Sequence, residues 1–317
     1  MTPSTFSKLI LLYGLAVPFL QANAQDSAKP FLGAWDLTMQ TSSGQHHPSW
    51  IGVSEDHGQL KVELVGPVGD TEVVQKAHIS NGDLEFLSVP DPDEGRNTET
   101  QFHARVSEGR LVGTAKGADG TSATWTGVRA PALKRSSEPV WGKPTPLFNG
   151  KNFDGWVFSS EKHANWVIEN GVLENTGHGA EIITARKFGD FKLHIEFNCD
   201  PKSNSGIYLR GRYEVQVETD SAAEIASHHT GGVYGFLDPT PEQPRKAGVW
   251  QSFDITLVGR NLTVVQNGVT IIDRKDIPGI TGGALNSQEG EPGPIYLQGS
   301  EEGKVRYRNI IITTPKE

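Results

Sequence analysis

The chain of 317 residues is poor in cysteine, in runs of basic residues and in long apolar stretches. Its single cysteine, Cys199, cannot form an intramolecular disulfide, and we expect it to be a buried apolar residue at the end of a strand. The net charge is -9 and the basic residues are scattered, so the sequence lacks the electrostatic footprint of a nucleic-acid-binding protein. Nucleic acids are therefore not expected partners.

The N-terminus has the features of an export signal. Lys8 precedes the apolar stretch 9–20, and an Ala-Asn-Ala sequence at 22–24 supplies the small-x-small pattern that signal peptidase cuts. A bilayer requires about 20 apolar residues, so this stretch is too short for a retained membrane span. We expect cleavage of residues 1–24 after Ala24, which would give a periplasmic or extracellular protein without a membrane span.

Helical periodicity is also scarce. The 36 glycines and 19 prolines are typical of a turn-rich protein, and no long segment repeats its apolar residues every 3.6 positions. Alternating runs instead follow turn glycines, as in HGQLKVEL and NGDLEFL. Asn-Gly pairs at 170–171 and 267–268 predict two-residue hairpins, because both central positions of such turns need positive φ. The predicted fold class is all-β.

The turn glycines divide the chain into two predicted domains. Gly58, Gly82 and Gly109 recur at intervals that suit an antiparallel meander of two strands per period. We predict a small barrel-like β-meander domain over 30–132, with no assigned site and a faint similarity to calycin-like barrels in its opening FLGAWDLTM. A Ser/Pro-rich linker over 133–145 and a two-sheet sandwich over 146–317 follow.

The stretch NSGIYLRGRYEVQVE collects polar side chains on one face of two strands. If residues 211–213 form the loop, Arg210 pairs with Glu214 and Tyr208 with Gln216. This register predicts a platform of Arg, Glu, Gln and Tyr side chains, which suits a hydroxyl-rich ligand such as a sugar. An ordinary solvated outer face is the alternative.

An ordered series of motifs runs through residues 146–314: PLFNGKNFDGWVF, NWVIENGVLENTG, KFGDFKLHIEF, SNSGIYLRG, YEVQVE and VRYRNIII. In this series, over about half of the chain, the sequence resembles the 3-keto-disaccharide hydrolase family. The resemblance implies a concanavalin A-like lectin/glucanase jelly roll and an enzyme that cleaves glycosides carrying a ketone at C3. Such a ketone acidifies the C2 proton, so a base can start β-elimination of the C1 leaving group, and hydration follows.

The central motifs of the family nominate the candidate site. The resemblance implies Glu214 as base or metal ligand, Arg210 as stabiliser of the enolate and Gln216 as a hydrogen-bond partner of the substrate. Further candidates, from these strands and from the loop that follows, are Glu196, Asn204, Ser205, Tyr208, Glu218, His228, His229, Tyr234 and Trp250. Either histidine could serve as general acid or metal ligand, and the Tyr234 and Trp250 rings could stack on a sugar.

Two other functions stay open from the sequence. Glu214 and Glu218 have the Glu-x-x-x-Glu spacing of retaining jelly-roll glucanases, but four residues along a strand span about 13 Å and Gln216 replaces the central acid. A noncatalytic carbohydrate-binding module is the third hypothesis. No organic cofactor is expected, while a divalent cation held by Glu214 and Glu218 stays open. In each case the expected partner is a glycoside or oligosaccharide.

Overall fold

The computed structural model of the protein describes residues 28–160, 164–177, 179–219, 225–300 and 302–316. The predicted signal segment 1–24 lies outside these residues. Within the described ranges, no helix combines the length and the apolar character that a membrane crossing requires. Strands dominate, and the two 3-10 turns, Pro92–Glu94 and Ala226–His228, lie in loops. The predicted all-β class is confirmed.

The first unit is an antiparallel barrel built as a meander. Its strands are β1 (Gly33–Thr41), β2 (His46–Asp56), β3 (Gln59–Val65), β4 (Thr71–Val73), β5 (Gln75–Ser80), β6 (Asp83–Ser88), β7 (Thr100–Ser107), β8 (Arg110–Gly117) and β9 (Ser122–Arg129). The sheet order β4-β3-β2-β1-β9-β8-β7-β6-β5 puts β4 and β5 at opposite ends. These two strands are successive parts of one stretch, interrupted at Val74, whose N–H donates to the Val62 carbonyl. The sheet therefore closes around a core that includes Trp35 and Trp125.

The second unit is a sandwich of two sheets. Its strands are β10 (Thr145–Pro146), β11 (Trp156–Phe158), β12 (Trp166–Glu169), β13 (Val172–Asn175), β14 (Ile182–Thr184), β15 (Phe191–Cys199), β16 (Asn204–Leu209), β17 (Tyr213–Glu218), β18 (Gln251–Val258), β19 (Asn261–Gln266), β20 (Val269–Asp276), β21 (Tyr296–Leu297) and β22 (Val305–Thr313). One sheet has the order β12-β13-β22-β15-β18-β19-β20, with β10 paired to β22. The other has the order β11-β14-β21-β16-β17.

Local sequence patterns explain how this sandwich forms. The Asn170-Gly171 turn has φ values of 51° and 80° and joins β12 to β13, as the two-residue hairpin prediction requires. Alternate residues of β15 face inward, and Phe197 lies 4.6 Å from the Phe253 ring, centroid to centroid. Cys199 is buried at the end of the same strand, and burial raises the pKa of its thiol to about 12. The predicted two-sheet sandwich is confirmed.

The barrel and the sandwich share packed and hydrogen-bonded contacts. Trp50 of β2 belongs to the core of the sandwich and packs edge-on against Phe236, with 5.5 Å between ring centroids. Asp36 of β1 is buried near Glu289, which lies in the loop between β20 and β21 and raises the pKa of Asp36. The contacts bring the barrel loops at one end against the five-stranded sheet. The domain boundaries 30–132, 133–145 and 146–317 stay a prediction.

Candidate active site

The hairpin of β16 and β17 has its loop one residue earlier than predicted. Leu209 pairs with Tyr213, so residues 210–212 form the loop. Both Arg210 and Gly211 adopt left-handed backbone, with φ values of 54° and 66°. The loop has three residues, as expected, but the predicted cross-strand pairs are wrong by one position on each strand.

Arg210 consequently leaves the polar face on which the sequence placed it. Its guanidinium is buried and donates to Tyr213 Oη at 3.0 Å and to the Gly259 carbonyl at 2.8 Å. These partners belong to the hairpin itself and to the β18–β19 turn. The predicted pairing of Arg210 with Glu214 is therefore wrong, because tertiary hydrogen bonds hold the residue inside the loop. Arg210 therefore does not lie on the face that carries Glu214.

The remaining polar residues do share one face. Tyr208 lies opposite Glu214, and Gln216 lies two residues further along the same face. This face is not solvated, since every residue of β17 is buried. Loop 229–234 covers the strand edge, where the Gln216 N–H donates to the Gly232 carbonyl at 2.9 Å. The alternative of an ordinary solvated outer face is excluded by this burial.

Glu214 is held in a defined position at the centre of the face. The Tyr208 hydroxyl donates to Glu214 Oε2 at 2.8 Å and lies 3.0 Å from the Gly282 carbonyl. Burial, followed by the neighbouring Glu214 charge, raises the pKa of Tyr208 well above its usual range, so the hydroxyl stays a donor. When the Gln216 amide is oriented with its nitrogen toward the carboxylate, Nε2 lies 3.2 Å from Glu214 Oε1. A Cβ at Gly206, the cross-strand partner of Gln216, would overlap Glu214 Oε1, so glycine leaves room for the carboxylate in this position.

A pocket of about 360 Å³ opens over Glu214. Its polar lining consists of three carboxylic acids, three amides and two tyrosines: Asp93, Glu94, Glu214, Asn204, Gln216, Gln298, Tyr208 and Tyr234. No Lys, Arg or His is among the described residues that line it. Amide and tyrosine groups both donate and accept hydrogen bonds, which suits a neutral polyhydroxylated ligand better than an anion.

The barrel supplies one wall of this pocket, which the sequence did not predict. Glu94 Oε2 accepts from the Asp70 backbone N–H at 2.7 Å and from the Tyr234 hydroxyl at 3.1 Å. The Tyr234 ring stacks on His228, with 4.1 Å between centroids, and His228 Nε2 lies 3.2 Å from Asp70 Oδ2. The acidic turn DPDEG between β6 and β7 is the one feature of the sequence that could have indicated this wall. Such a turn is typical of any exposed loop, so it does not predict a site.

Glu218 and His229 lie outside the pocket lining. Glu218 Oε1 accepts from Arg245 Nη1 at 2.9 Å, and the Glu218 backbone N–H donates to the Thr230 hydroxyl at 3.1 Å. Burial raises the pKa of Glu218, and the Arg245 charge opposes part of that rise. His229 Nδ1 lies 2.8 Å from Glu242 Oε1. These residues form a neighbouring charged cluster that fastens the loop over β17.

Glu196 lies on β15 of the other sheet, and Trp250 directly precedes β18 of that sheet. Glu196 accepts from Arg308 Nε and Asn309 Nδ2, both at 2.6 Å, and the Arg308 guanidinium lies 3.9 Å from the Trp250 ring centroid. The expectation that Glu196 and Trp250 share a site with Glu214 is therefore wrong. Alternation shows that Glu196 faces away from the core, but it does not show to which sheet β15 belongs.

A metal site was left open by the sequence. Within the described part of the chain, no three His, Cys, Asp or Glu side chains are grouped in a way that could hold a metal ion. Glu214 and Glu218, the two acids considered for that role, have separate partners in Tyr208 and Arg245.

Comparisons with known proteins found similar sequences and structures. The 3-keto-disaccharide hydrolase of Bacteroides thetaiotaomicron is 21% identical over 164 residues, which are 40% of this chain and 57% of that relative. A candidate glycosyl hydrolase structure from Parabacteroides distasonis has 28% identity and a TM-score of 0.47, covering 58% of this chain and 96% of that one. The Bacillus licheniformis beta-glucanase has 11% identity and a TM-score of 0.34, covering 57% and 100%.

The chain thus spans less than two thirds of the curated relative it matches. The family comparison reaches further, since the profile of the 3-keto-alpha-glucoside-1,2-lyase-like domain matches residues 143–313, more than half of the chain. That segment contains β16, β17 and all the pocket residues of the sandwich. The chain belongs to the family of 3-keto-alpha-glucoside-1,2-lyase-like domains.

Proposed function

We propose that the protein cleaves 3-keto-glycosides, with 3-keto-disaccharides as the substrate class. The observation that carries this proposal is the Glu214 carboxylate, oriented by Tyr208 and surrounded by amides in a pocket without basic side chains. The family and the curated relative named a 3-keto-disaccharide hydrolase support the same substrate class. An elimination needs one well-placed base, and this pocket supplies one.

The proposed reaction begins at C2 of the oxidised sugar. Glu214 takes the C2 proton, and the electron pair of that C–H bond passes into the C3 ketone to give an enolate. The enolate then re-forms the ketone, the C1–C2 double bond forms, and the C1–O bond breaks. The leaving oxygen takes the proton that Glu214 removed from C2, so an alcohol is released and the carboxylate is restored. Water adds across the double bond in a second step, which returns a 3-keto-sugar. Neither step changes the oxidation level of the protein.

Neutral donors take the place of the arginine that the sequence nominated. The amides of Asn204, Gln216 and Gln298 line the pocket, and the Gln298 Oε1 atom is buried without a hydrogen-bond partner among the described residues. Amide N–H groups can stabilise oxyanion charge that develops on the substrate. We assign the amides to the ketone and hydroxyl groups of the sugar, and Tyr208 to the orientation of Glu214.

The structure gives less support to a classical retaining glycosidase. That mechanism uses two carboxyl groups about 5.5 Å apart, one on each side of the glycosidic bond. Glu218, the partner suggested by spacing, is bound by Arg245 and lies outside the pocket lining. A purely carbohydrate-binding role would not explain why the Glu214 carboxylate is held so closely against Gly206.

The decisive assay compares a 3-keto-disaccharide with its unoxidised parent, with and without a chelator. We expect turnover of the 3-keto compound alone. Glu214→Gln should reduce kcat at least about 100-fold, because loss of a general base costs about two to four orders of magnitude. Glu196→Gln, which changes a carboxylate on the other sheet, is the matched control and should retain activity within about twofold.

Three results would decide against the proposal. Equal turnover of both sugars would favour the classical glycosidase. Binding of both sugars without turnover of either would favour the binding module. Full activity in Glu214→Gln would remove Glu214 from the chemistry, whatever the substrate.

A further inference from the structure

A second cavity, of about 430 Å³, lies at one mouth of the barrel. Its apolar walls are formed by Met39, Leu64, Phe102, Ala115 and Ala123. Ala115 and Ala123 are direct cross-strand partners on β8 and β9, and Ala115 also pairs with Phe102 on β7. Barrels of about eight strands have interiors just wide enough to be filled by side chains or to hold one small ligand. The two alanines leave the space that larger side chains would fill.

One side of this cavity carries two opposite charges, the buried Glu72 and the half-buried Arg96. Glu72 is 7% exposed and accepts from the Ser88 hydroxyl at 2.6 Å and from the Val89 N–H at 2.8 Å. Arg96 Nη2 donates to Asp91 Oδ2 at 2.9 Å. Within the described residues, Arg96 Nε is buried without a hydrogen-bond partner, and Glu72 Oε2 lies 3.6 Å from it. Glu72 and Arg96 both line the cavity, and Arg96 Nε and Glu72 Oε2 are close enough to be bridged by one hydroxyl group.

We propose that the barrel cavity binds a small neutral aromatic molecule that carries a hydroxyl group. The hydroxyl accepts from Arg96 Nε and donates to Glu72, which satisfies both groups at once. The ring lies against Phe102 and Met39, since aromatic rings and thioethers both make favourable contacts with aromatic ligands. Glu72 and Asp91 already neutralise the Arg96 charge, so an anionic ligand would be repelled.

The volume and the position of the cavity agree with this assignment. About 430 Å³ is within the range of small-molecule sites, and the lining mixes apolar walls with few convergent polar groups. Gly95 borders both this cavity and the pocket over Glu214, so the two open beside the same loop. Binding in the barrel does not require the proposed reaction, because it involves neither Glu214 nor its neighbours.

Calorimetric titration of the full chain with 2-naphthol tests the proposal, with 2-naphthoate as the anionic comparison. We expect 2-naphthol to bind and 2-naphthoate to bind at least about tenfold more weakly. Ala123→Leu fills the space, and Arg96→Lys removes the Nε–H while keeping the charge. Each should weaken 2-naphthol binding at least about tenfold. Thr126→Leu adds the same side chain to an exposed position of β9 and should bind as the wild type does.

Unchanged thermal unfolding of the variants shows that they are folded. Absence of 2-naphthol binding to the wild type at millimolar concentration would overturn the proposal. Wild-type affinity in Ala123→Leu would also overturn it, because the ligand would then lie elsewhere. Weaker binding in Arg96→Lys together with Ala123→Leu, but not in Thr126→Leu, supports it.

Discussion

Replacement of Asp36 by Asn should make the protein more stable at neutral and alkaline pH. Asp36 is 3% exposed, and burial, followed by the hydrogen bond and the charge of Glu289, raises its pKa from 3.8 to about 9. Arg260 and Arg212 lower this pKa only in part. The folded protein therefore keeps a proton on Asp36 that the unfolded chain has lost. An asparagine amide can donate to Glu289 as the protonated acid does.

The sign and size follow from proton linkage. A carboxyl group with a raised folded pKa contributes its full stability below the unfolded pKa of 3.8, and this contribution is lost as pH rises toward about 9. The loss is about 1.4 kcal/mol per pH unit, or about 4 kcal/mol between pH 5 and pH 8. Asparagine does not titrate, so the stability difference between Asp36→Asn and the wild type should grow by about this amount.

Urea unfolding followed by tryptophan fluorescence at pH 5, 6, 7 and 8 measures this difference. Asp273→Asn is the matched control, since it makes the same substitution at a carboxylate that is largely exposed beside Arg274, where an ion pair contributes little stability. A constant offset between Asp36→Asn and the wild type over the same range would refute the reasoning. It would mean that Asp36 is already ionised in the folded protein.

Two further predictions concern the pocket. Gly206→Ala should lower kcat/KM for a 3-keto-disaccharide about 100-fold, because the new Cβ displaces the Glu214 carboxylate. Steady-state kinetics on the folded variant would show this, and wild-type kinetics would show that the carboxylate position is unimportant. Glu94→Ala should raise KM about tenfold with a smaller change in kcat, because Glu94 orients Tyr234 from the barrel side. An unchanged KM would mean that the barrel wall does not contact the substrate.

The local features of the sandwich could be predicted because they depend on neighbouring residues. The Asn170-Gly171 turn needs positive φ at both positions, and alternation along β15 separates buried from polar side chains. The grouping of Tyr208, Glu214 and Gln216 on one face follows from the same two-residue period. The predicted register was wrong by one residue on each strand. This error does not change which residues of a strand share a face, so the predicted grouping is still correct.

The errors have a common cause. Arg210 does not lie on the polar face with Glu214, because its guanidinium donates a hydrogen bond to Gly259, a residue 49 positions away in sequence. Glu196 and Trp250 were included because alternation shows which way a side chain points relative to its own strand, whereas sheet membership depends on strand pairing. Pairing between distant strands is decided by packing across the whole sandwich.

The all-β class, the hairpins and the polar face around Glu214 could be predicted from the sequence, because short periodicities and turn chemistry fix them locally. The burial of this face, and the loop of the barrel that closes over it, depend on tertiary packing. Glu94 and Tyr234 are 140 residues apart, and no local pattern connects them. Their contact exists because the two units pack together, and that packing turns a polar strand face into an enclosed pocket.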